Sequence, residues 1–409
     1  MDRGSLALAD SALVEECRDR SVELLRRNLV PAGILAASRT PRAISRGYCA
    51  VFGRDASICA IGMALSGDAT LRRGALDSLA TLARHQAANG QIPNIVGPRG
   101  GRPDFWYVGC IDATLWWLIA LGILDRLRPG RVLQRRFAPA ARRALRWLQC
   151  QEHPHFRLLQ QNEASDWADI MPRSGYVLYT NALWHYVKRQ YGLEGAQETR
   201  DNAELLLRPA AGARSGDRRT RILAAYARAG APQHGLFLSY LNLAACGREG
   251  DAFGNALAVL CGLAEGEGAA RILRALDRAA VGEPYPMRVV CRPVARGSRE
   301  WRPYMNRHRQ NRAWEYHNGG IWPFAGALWT TALAEAGLRE AARVRLAGLA
   351  RANARDDWSF HEWLHGRSGR PGGMQGQSWN AATFLIAHHV VVGGKPVFRP
   401  SADAQNGTW

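Results

Sequence analysis

Apolar residues recur along most of the chain at the spacing of helix faces, and Ala, Leu and Arg dominate the segments between breaks at Gly and Pro. This pattern predicts an almost entirely α-helical protein whose helices follow one another in pairs. The predicted helices cover 10–27, 55–67, 69–88, 108–125, 133–150, 175–192, 199–207, 219–230, 253–264, 267–279, 322–336, 338–353 and 378–392.

Two stretches of this pattern are apolar on more than one helix face. They are IDATLWWLIALGIL (111–124) and GIWPFAGALWTTALAEAG (320–337). Helices without a polar face belong inside a larger helical assembly. Because the chain has neither a short repeat nor a Pro/Ser-rich linker, we expect one domain over 1–395 and a tail over 396–409.

Length and composition fit a globular protein. The 409 residues are 47% hydrophobic, which is enough for a core. No run of 18 apolar residues occurs, and the N-terminal MDRGSLALADSALVEE carries acids where a signal peptide would be apolar, so we expect a cytoplasmic protein without a membrane partner. The eight cysteines are scattered without zinc spacing, which favours small buried residues in a reducing compartment.

The net charge of +19 invites a nucleic-acid function, because basic proteins release counterions from phosphates. Only Lys188 and Lys395 among the 54 basic residues are lysines, and the arginines are spread over the whole chain rather than forming one stripe. This distribution indicates that the protein uses Arg in place of Lys throughout, rather than a cluster of basic residues at one site. We therefore expect no nucleic-acid partner.

Four segments, at 51–68, 161–186, 314–329 and 359–389, concentrate the unusual polar and aromatic residues. Their candidate functional side chains are Arg54, Asp55, Glu163, Asp166, Trp167, Asp169, His317, Asn318, Trp322, Glu362, Gln377 and Trp379. Taken singly, each residue could also have a structural role, as a helix cap, as a solvated acid in a loop, or as a polar or aromatic residue at the start of a helix.

Together these residue types suit a carbohydrate. Aromatic rings offer flat faces to a sugar, Asn, Gln, His, Arg and Asp give directional hydrogen bonds to hydroxyls, and two carboxyls divide the general acid and general base roles. A sugar isomerase or epimerase on a similar helical scaffold would use the same ingredients, with His317, His361 and His365 as proton carriers. A carbohydrate-binding protein without activity is a further alternative.

Several strings, in this order, carry a family resemblance: NLVPAGILAAS (28–38), VFGRDASICAIGMALSGD (51–68), GQIPN (90–94), SDWADIM (165–171), DAFGNALAVLCGLA (251–264), EYHNGGIWPF (315–324), and FHEWLHG followed by GQSWNAATFL. With them the sequence resembles the alkaline/neutral invertases and the short bacterial amylo-α-1,6-glucosidase or glycogen-debranching-like proteins, from about Asn28 to His389. The resemblance implies an (α/α)6 toroid of six helical hairpins, with the active site at the end where the longer loops gather.

The resemblance also implies roles for individual residues. Asp166 corresponds to the general acid and Glu362 to the general base of an inverting glycosidase, whose carboxyls stand ~6.5–9.5 Å apart. Glu163 or Asp169, together with the Trp167 face, would raise the pKa of Asp166. The implied substrate-binding residues are Arg54, Asp55, Trp167, His317, Asn318, Trp322, Gln377 and Trp379. No metal or organic cofactor is needed.

Departures from the invertase pattern bear on the substrate. SFHEWLHG stands where plant-type invertases carry Trp-Pro-Glu-Tyr-Tyr-Asp, and Ile321 replaces the Ser of HNGGSWP. We therefore expect a short α-glucoside: sucrose, an α-1,6-linked oligosaccharide or a glucosyl solute. The loop 284–319 would wall the leaving-group side, and the turn 366–376 would return Gln377 and Trp379 to the sugar. A homo-oligomer is left open.

Overall fold

The computed structural model describes residues 3–106, 109–128, 130, 132–208, 217–230 and 235–399. In this part of the chain the α-helices are α1 (Arg3–Asn28), α2 (Pro41–Ser45), α3 (Gly53–Leu65), α4 (Ala69–Arg84), α5 (Ile111–Arg126), α6 (Val132–Gln149), α7 (Leu178–Tyr191), α8 (Ala196–Leu207), α9 (Arg218–Gly230), α10 (Ala252–Leu260), α11 (Gly266–Arg278), α12 (Pro323–Glu335), α13 (Arg339–Asn353), α14 (Arg355–Trp358) and α15 (Ser378–Val391). One 3-10 helix covers Pro303–Arg309.

Short β-strands lie in the loops between the helices and pair only antiparallel within the described residues. They are β1 (Leu29–Val30), β2 (Gly33–Ile34), β3 (Val51–Phe52), β4 (Ile95–Val96), β5 (Gln160–Gln161), β6 (Gly175–Val177), β7 (Tyr240–Leu241), β8 (Trp363–Leu364) and β9 (Pro371–Gly372). The sheets are β1–β2, β3–β4, β5–β6–β7 and β8–β9.

Six helices form a closed inner ring. Along the ring, α3 packs on α5, α5 on α7, α7 on α10, α10 on α12, α12 on α15, and α15 again on α3. Almost every residue of these helices is buried, which explains why 111–124 and 320–337 lack a polar face.

Each inner helix carries one outer partner. The pairs are α3 with α4, α5 with α6, α7 with α8, α10 with α11, α12 with α13, and α15 with α1. The sixth hairpin is therefore closed by the N-terminal helix, and α9 adds a further layer on α8. This arrangement confirms the predicted (α/α)6 toroid.

The first turns of the six inner helices meet one another around the ring. The successive contacts are Arg54 to Asp112 (3.3 Å), Asp112 to Tyr179 (2.9 Å), Tyr179 to Phe253 (5.8 Å), Phe253 to Phe324 (5.2 Å), Phe324 to Trp379 (3.9 Å) and Trp379 to Arg54 (5.7 Å). The ring–ring and cation–ring values refer to ring centroids. All six inner helices therefore begin at the same end of the toroid, where their dipoles place partial positive charge.

The predicted helices are confirmed, with shifts at their ends. Helix α1 begins seven residues early, because the good helix formers Leu6 to Ala9 extend it before its amphipathic pattern starts. Helix α7 begins three residues late, because 175–177 form β6. The predicted start at 108 lies outside the described residues. The short α2 and α14, the 3-10 helix and the strands were not predicted.

The packed chain continues beyond 395. The Phe398 ring lies 5.8 Å from that of Tyr186, and the N–H groups of Val397 and Phe398 donate to Glu335 Oε1 at 2.8 and 3.0 Å. Residues through Phe398 thus belong to the toroid, three more than predicted, while 400–409 lie outside the described residues.

The structure also bears on the predictions about the cysteines and about membrane-spanning helices. All eight cysteines are unpaired and five are buried, whereas Cys150 is exposed. Among the described helices, none has both the length and the apolar character needed to cross a bilayer.

Candidate active site

The predicted site residues gather at the end of the toroid where the inner helices begin. Asp166 and Trp167 lie in the loop between α6 and α7, and His317 and Trp322 lie in the segment that leads into α12. Glu362 directly precedes β8, in the segment between α14 and α15. The ring of first turns forms the floor beneath these loops.

Asp166 is a buried carboxyl, with 3% of its surface exposed. Its Oδ1 accepts the Ala168 N–H at 2.8 Å, and its Oδ2 accepts from the Gln161 amide at 2.9 Å. Burial raises the pKa of Asp166, the nearby Asp112 charge raises it further, and Arg173 opposes both. A carboxyl in such surroundings retains its proton to higher pH than an exposed one, as a general acid requires.

The negative charge beside Asp166 comes from a residue that is not among the predicted site residues. Glu163 accepts from Arg302 at 3.1 Å and from the Tyr304 hydroxyl at 2.9 Å, so it is engaged by the loop 284–319. The charge of Asp169 acts instead on Glu362. The negative charge that raises the pKa of Asp166 is that of Asp112, whose position in the first turn of an apolar helix was the available signal.

Glu362 is equally buried, with 3% exposed. The Tyr48 hydroxyl donates to its Oε1 at 2.7 Å, and the Met374 N–H donates to its Oε2 at 2.9 Å. Burial raises the pKa of Glu362 to about 7, with smaller contributions from the charges of Asp169 and Asp55, while the two hydrogen bonds lower it. Glu362 therefore changes charge near neutral pH. Tyr48 was not predicted.

A glycine-rich hairpin brings the Met374 amide to Glu362. β8 pairs with β9, and Gly373 follows at φ +76°. A Cβ at Gly373 would lie 2.2 Å from Glu362 Oε2, so only glycine permits this approach. The chain then returns to Gln377 at the start of α15.

An aromatic cluster separates the two carboxyl-bearing segments. The Trp167 ring contacts the rings of His317 (4.9 Å), Phe253 (5.2 Å), Trp322 (5.4 Å) and Phe324 (5.5 Å). His317 stacks on Trp322 at 5.1 Å, and Phe324 stacks on Trp379 at 3.9 Å. Phe253 and Phe324 were not predicted, because an apolar residue at a helix start carries no chemical signal.

Arg54 and Asp55 stand at the floor of the site. Arg54 lies 3.3 Å from Oδ2 of both Asp55 and Asp112, and its guanidinium carbon is 5.7 Å from the centroid of Trp379. Asp112 also accepts from the Tyr179 hydroxyl at 2.9 Å. The floor thus combines one cation with two carboxyls against an aromatic face.

Several buried polar atoms of the site make no hydrogen bond within the described chain. They are Trp167 Nε1, Gln377 Nε2 and Trp379 Nε1. Buried polar atoms are normally satisfied, so these three N–H groups offer donors to a polar ligand. Among the described residues, no group of three or more His, Cys, Asp or Glu side chains is arranged to hold a metal ion.

Asn318 departs from its predicted role in substrate binding. It is fully buried, its Oδ1 accepts the Val294 N–H at 2.7 Å, and its Nδ2 donates to the carbonyls of Val294 at 3.0 Å and Asn311 at 3.3 Å. The side chain therefore fixes the loop 284–319 and has no polar atom left for a sugar.

The loop 284–319 packs against the segment that carries Asp166. Besides the contacts of Arg302 and Tyr304 with Glu163, the Asn311 amide donates to the Ile170 carbonyl at 2.9 Å. Other residues of this predicted wall lie further out: the guanidinium carbon of Arg288 is 5.1 Å from the centroid of the Trp314 ring, and Arg292 is exposed.

Of the three histidines considered as proton carriers, only His317 belongs to the aromatic cluster. His361 Nε2 lies 2.8 Å from Asp356 Oδ2, and His365 Nδ1 accepts the N–H of Ser368 at 3.2 Å. Burial lowers the pKa of His317 well below its usual value, and the charges of Arg173 and Arg54 lower it further. His317 is therefore neutral.

Comparison with known proteins adds sequence relatives for the C-terminal part of the chain. The profile of the alkaline and neutral invertase family matches residues 234–393. Probable alkaline/neutral invertase D from Arabidopsis thaliana is 37% identical over 143 residues, which cover 33% of this chain and 26% of that protein. Cytosolic invertase 1 from Oryza sativa subsp. japonica is 31% identical over 161 residues, which cover 38% of this chain and 28% of that protein. The chain spans about a quarter of the length of these relatives.

Solved structures share the fold over almost the whole chain. GH63 mannosylglycerate hydrolase from Thermus thermophilus, in complex with Tris and D-glycerate, superposes with a TM-score of 0.63 at 15% identity, over 90% of this chain and 99% of that one. A glycosidase variant in complex with glucose superposes with a TM-score of 0.62 at 16% identity, over 96% of this chain and 99% of that one. The resemblance predicted from the motifs is confirmed: this chain has the fold of the toroid glycosidases and, over residues 234–393, is similar in sequence to the alkaline and neutral invertases.

Proposed function

We propose that this protein is a glycoside hydrolase that cleaves a short α-glucoside with inversion, with Asp166 as general acid and Glu362 as general base. The observation that carries the proposal is the pair of buried carboxyls, each with a raised pKa, at the loop end of the six-helix ring. Aromatic rings and unsatisfied polar atoms surround both, as recognition of a sugar requires.

In the proposed reaction, protonated Asp166 donates its proton to the glycosidic oxygen, and the bond from that oxygen to the anomeric carbon breaks. A water molecule attacks the anomeric carbon from the opposite face, and ionised Glu362 accepts its proton. The aglycone leaves as a neutral alcohol, and proton exchange with solvent restores both carboxyls. This geometry requires a separation of ~6.5–9.5 Å between the carboxyls.

At the floor of the site, two carboxylates counter the unfavourable effect of the helix dipoles on the positive charge that develops at the anomeric carbon. An oxocarbenium-like transition state is positive, and the dipoles of six converging helix starts would oppose it. Asp55 and Asp112 stand in the first turns of α3 and α5 and supply negative charge there. Arg54 contacts both carboxylates and keeps them in place.

Sucrose is our first choice of substrate, because the curated relatives of this chain are invertases and the profile of that family matches residues 234–393. Ile321 and the segment 359–366 depart from the plant-type pattern, so an α-1,6-linked oligosaccharide or a glucosyl solute remains in the proposed class. We further propose a cytoplasmic location and no nucleic-acid or membrane partner.

The test is the pair of substitutions Asp166→Asn and Glu362→Gln, which remove the charge and keep the shape. We expect each to lower glucoside hydrolysis by about 10²–10⁴-fold, the usual cost of losing a general acid or base. NMR with sucrose, isomaltose and trehalose measures the release of glucose and identifies the first anomer formed. More than a few per cent of residual turnover in either variant contradicts the assignment.

The same experiment separates the alternatives. If no disaccharide is cleaved but a free hexose is interconverted, the protein is an isomerase or epimerase. If sugars bind without turnover, it is a binding protein. The contacts of His361 and His365 do not favour the isomerase, because neither ring belongs to the aromatic cluster.

A further inference from the structure

The loop 284–319 contains a cavity of about 410 Å³ with a basic lining. Arg296, Arg309 and Arg312 line it, together with Trp301 and Asn306. All three arginines are exposed, and no carboxylate lines the cavity in the part of the chain that the structure describes. We call this feature the arginine cavity.

The positive charge of the arginine cavity is not balanced by neighbouring side chains. Residues 284–319 contain eight arginines and two acidic residues. Arg302 pairs with Glu163, whereas none of the three cavity arginines takes part in an ion pair among the described residues. Because like charges that share a small volume repel each other, a bound anion would lower the electrostatic energy of the cavity.

The loop that forms the arginine cavity is fixed to the segment that carries Asp166. The Asn311 amide, between two cavity arginines in the sequence, donates to the Ile170 carbonyl at 2.9 Å. Arg302, the residue after the cavity tryptophan, lies 3.1 Å from Glu163. The loop thus contacts the chain on both sides of Asp166, and the cavity residues alternate in the sequence with the residues that make these contacts.

We propose that the arginine cavity binds a phosphate group, which its position assigns to the leaving group of the substrate; this inference rests on the proposed function. The glycosidic oxygen that Asp166 protonates departs with the leaving group, so the leaving group lies on the Asp166 side of the bond that breaks. The arginine cavity borders that same side. Trp301 offers a flat face and Asn306 an amide to the sugar or polyol that carries the phosphate.

Charge and shape favour a phosphate over other anions. A planar guanidinium can bind two oxygens of a phosphate or carboxylate at once. A phosphate monoester carries about −1.5 to −2 charges near pH 7, whereas a carboxylate carries one, so the phosphate balances more of the three positive charges. Sites for small molecules have volumes of roughly 300–1,000 Å³, and a nucleic acid requires a basic stripe rather than a cavity.

Calorimetric titration of the full chain with inorganic phosphate tests the cavity without turnover. We expect binding, and we expect Arg309→Gln and Arg312→Gln each to weaken it by about 10-fold or more, because each removes hydrogen bonds to a charged group. Arg292→Gln is the matched control, since Arg292 is an exposed arginine of the same loop that does not line the cavity. Acetate at the same ionic strength is the comparison anion.

Hydrolysis identifies the source of the phosphate. Sucrose 6′-phosphate carries its phosphate on the fructose part, which is the leaving group, and unmodified sucrose is the reference. We expect kcat/KM to be about 10–100-fold higher for the phosphate ester. We expect this ratio to fall toward one in Arg309→Gln and Arg312→Gln, and to keep its wild-type value in Arg292→Gln.

Each result decides one part of the inference. Phosphate binding without a preference for the ester overturns the assignment to the leaving group and leaves free phosphate as the ligand. The cavity itself is overturned if phosphate does not bind, if acetate binds equally well, or if Arg292→Gln weakens binding as much as the cavity variants do. Failure of the proposed function shows instead as residual activity in Asp166→Asn or as no glucoside cleavage at all, and the calorimetric result stands independently of both.

Discussion

At the scale of single residues, the environment of Glu362 decides its chemistry. Burial raises its pKa to about 7, although the Tyr48 hydroxyl and the Met374 amide both stabilise the carboxylate. Because this folded pKa lies above the unfolded value, the protonated form favours the native state, and that contribution to stability is lost as pH rises through about 7. The proposed base is thus ionised only on the neutral and alkaline side, where it costs stability.

Tyr48→Phe removes one of the two hydrogen bonds to the Glu362 carboxylate. We expect the pKa of Glu362 to rise by about one unit, because a hydrogen bond to a charged group is worth about 1.5–3 kcal/mol. The acidic limb of the kcat/KM profile with sucrose then moves to higher pH, which a pH series measures. The control is Tyr186→Phe, which loses a buried hydroxyl bonded to Arg126 at 3.0 Å near the other end of the ring. An acidic limb that stays in place in Tyr48→Phe contradicts the role given to Glu362.

At the scale of elements, one buried lysine ties the hairpin of α7 and α8 to the end of α6. Lys188 pairs with Glu152 and donates to Thr199 Oγ1 at 2.9 Å and to the Gly195 carbonyl at 3.2 Å. Glu152 also accepts the Trp184 indole N–H at 2.5 Å. One cation thus satisfies polar groups of three elements at once.

Lys188→Met keeps much of the side-chain volume and removes the charge. We expect the free energy of unfolding to fall by about 3 kcal/mol, because Glu152 is left buried without its cation. Urea denaturation measures this loss. The matched control is Arg343→Ala, which breaks a 3.6 Å pair with Glu340 whose side chains are 66% and 83% exposed, and which we expect to change stability by about 0.5 kcal/mol or less. Equal effects in the two variants would contradict a structural role for Lys188.

At the scale of the whole molecule, the toroid depends on closing its inner ring. The first and last inner helices, α3 and α15, approach so closely that a Cβ at Gly62 would lie 2.1 Å from the Ala382 carbonyl oxygen. These two helices carry Arg54 and Trp379 into the site. Ring closure and the floor of the site are therefore one structural requirement.

Gly62→Ala forces α3 and α15 apart. We expect a loss of about 1–3 kcal/mol of stability from overpacking, together with reduced hydrolysis, because Arg54 and Trp379 separate. Thermal unfolding and glucose release measure the two effects. Gly268→Ala in the outer helix α11 is the control, since its Cβ would meet the end of the flexible Arg208 side chain at 3.0 Å, and alanine favours a helix by about 0.5–1 kcal/mol over glycine. A Gly62→Ala protein as stable as Gly268→Ala would contradict the closed ring.

The sequence by itself determined the helices and the main candidate side chains, because helical periodicity and the motifs around Asp166 and Glu362 are local features. Only the tertiary structure decided their partners. Tyr48 reaches Glu362 across 314 residues of sequence, and Asp112 reaches Arg54 across 58. No local pattern encodes such contacts, since they exist only once the ring of inner helices closes and brings its first turns together. Asn318 shows the converse, because a residue within a motif is taken up entirely by its own loop.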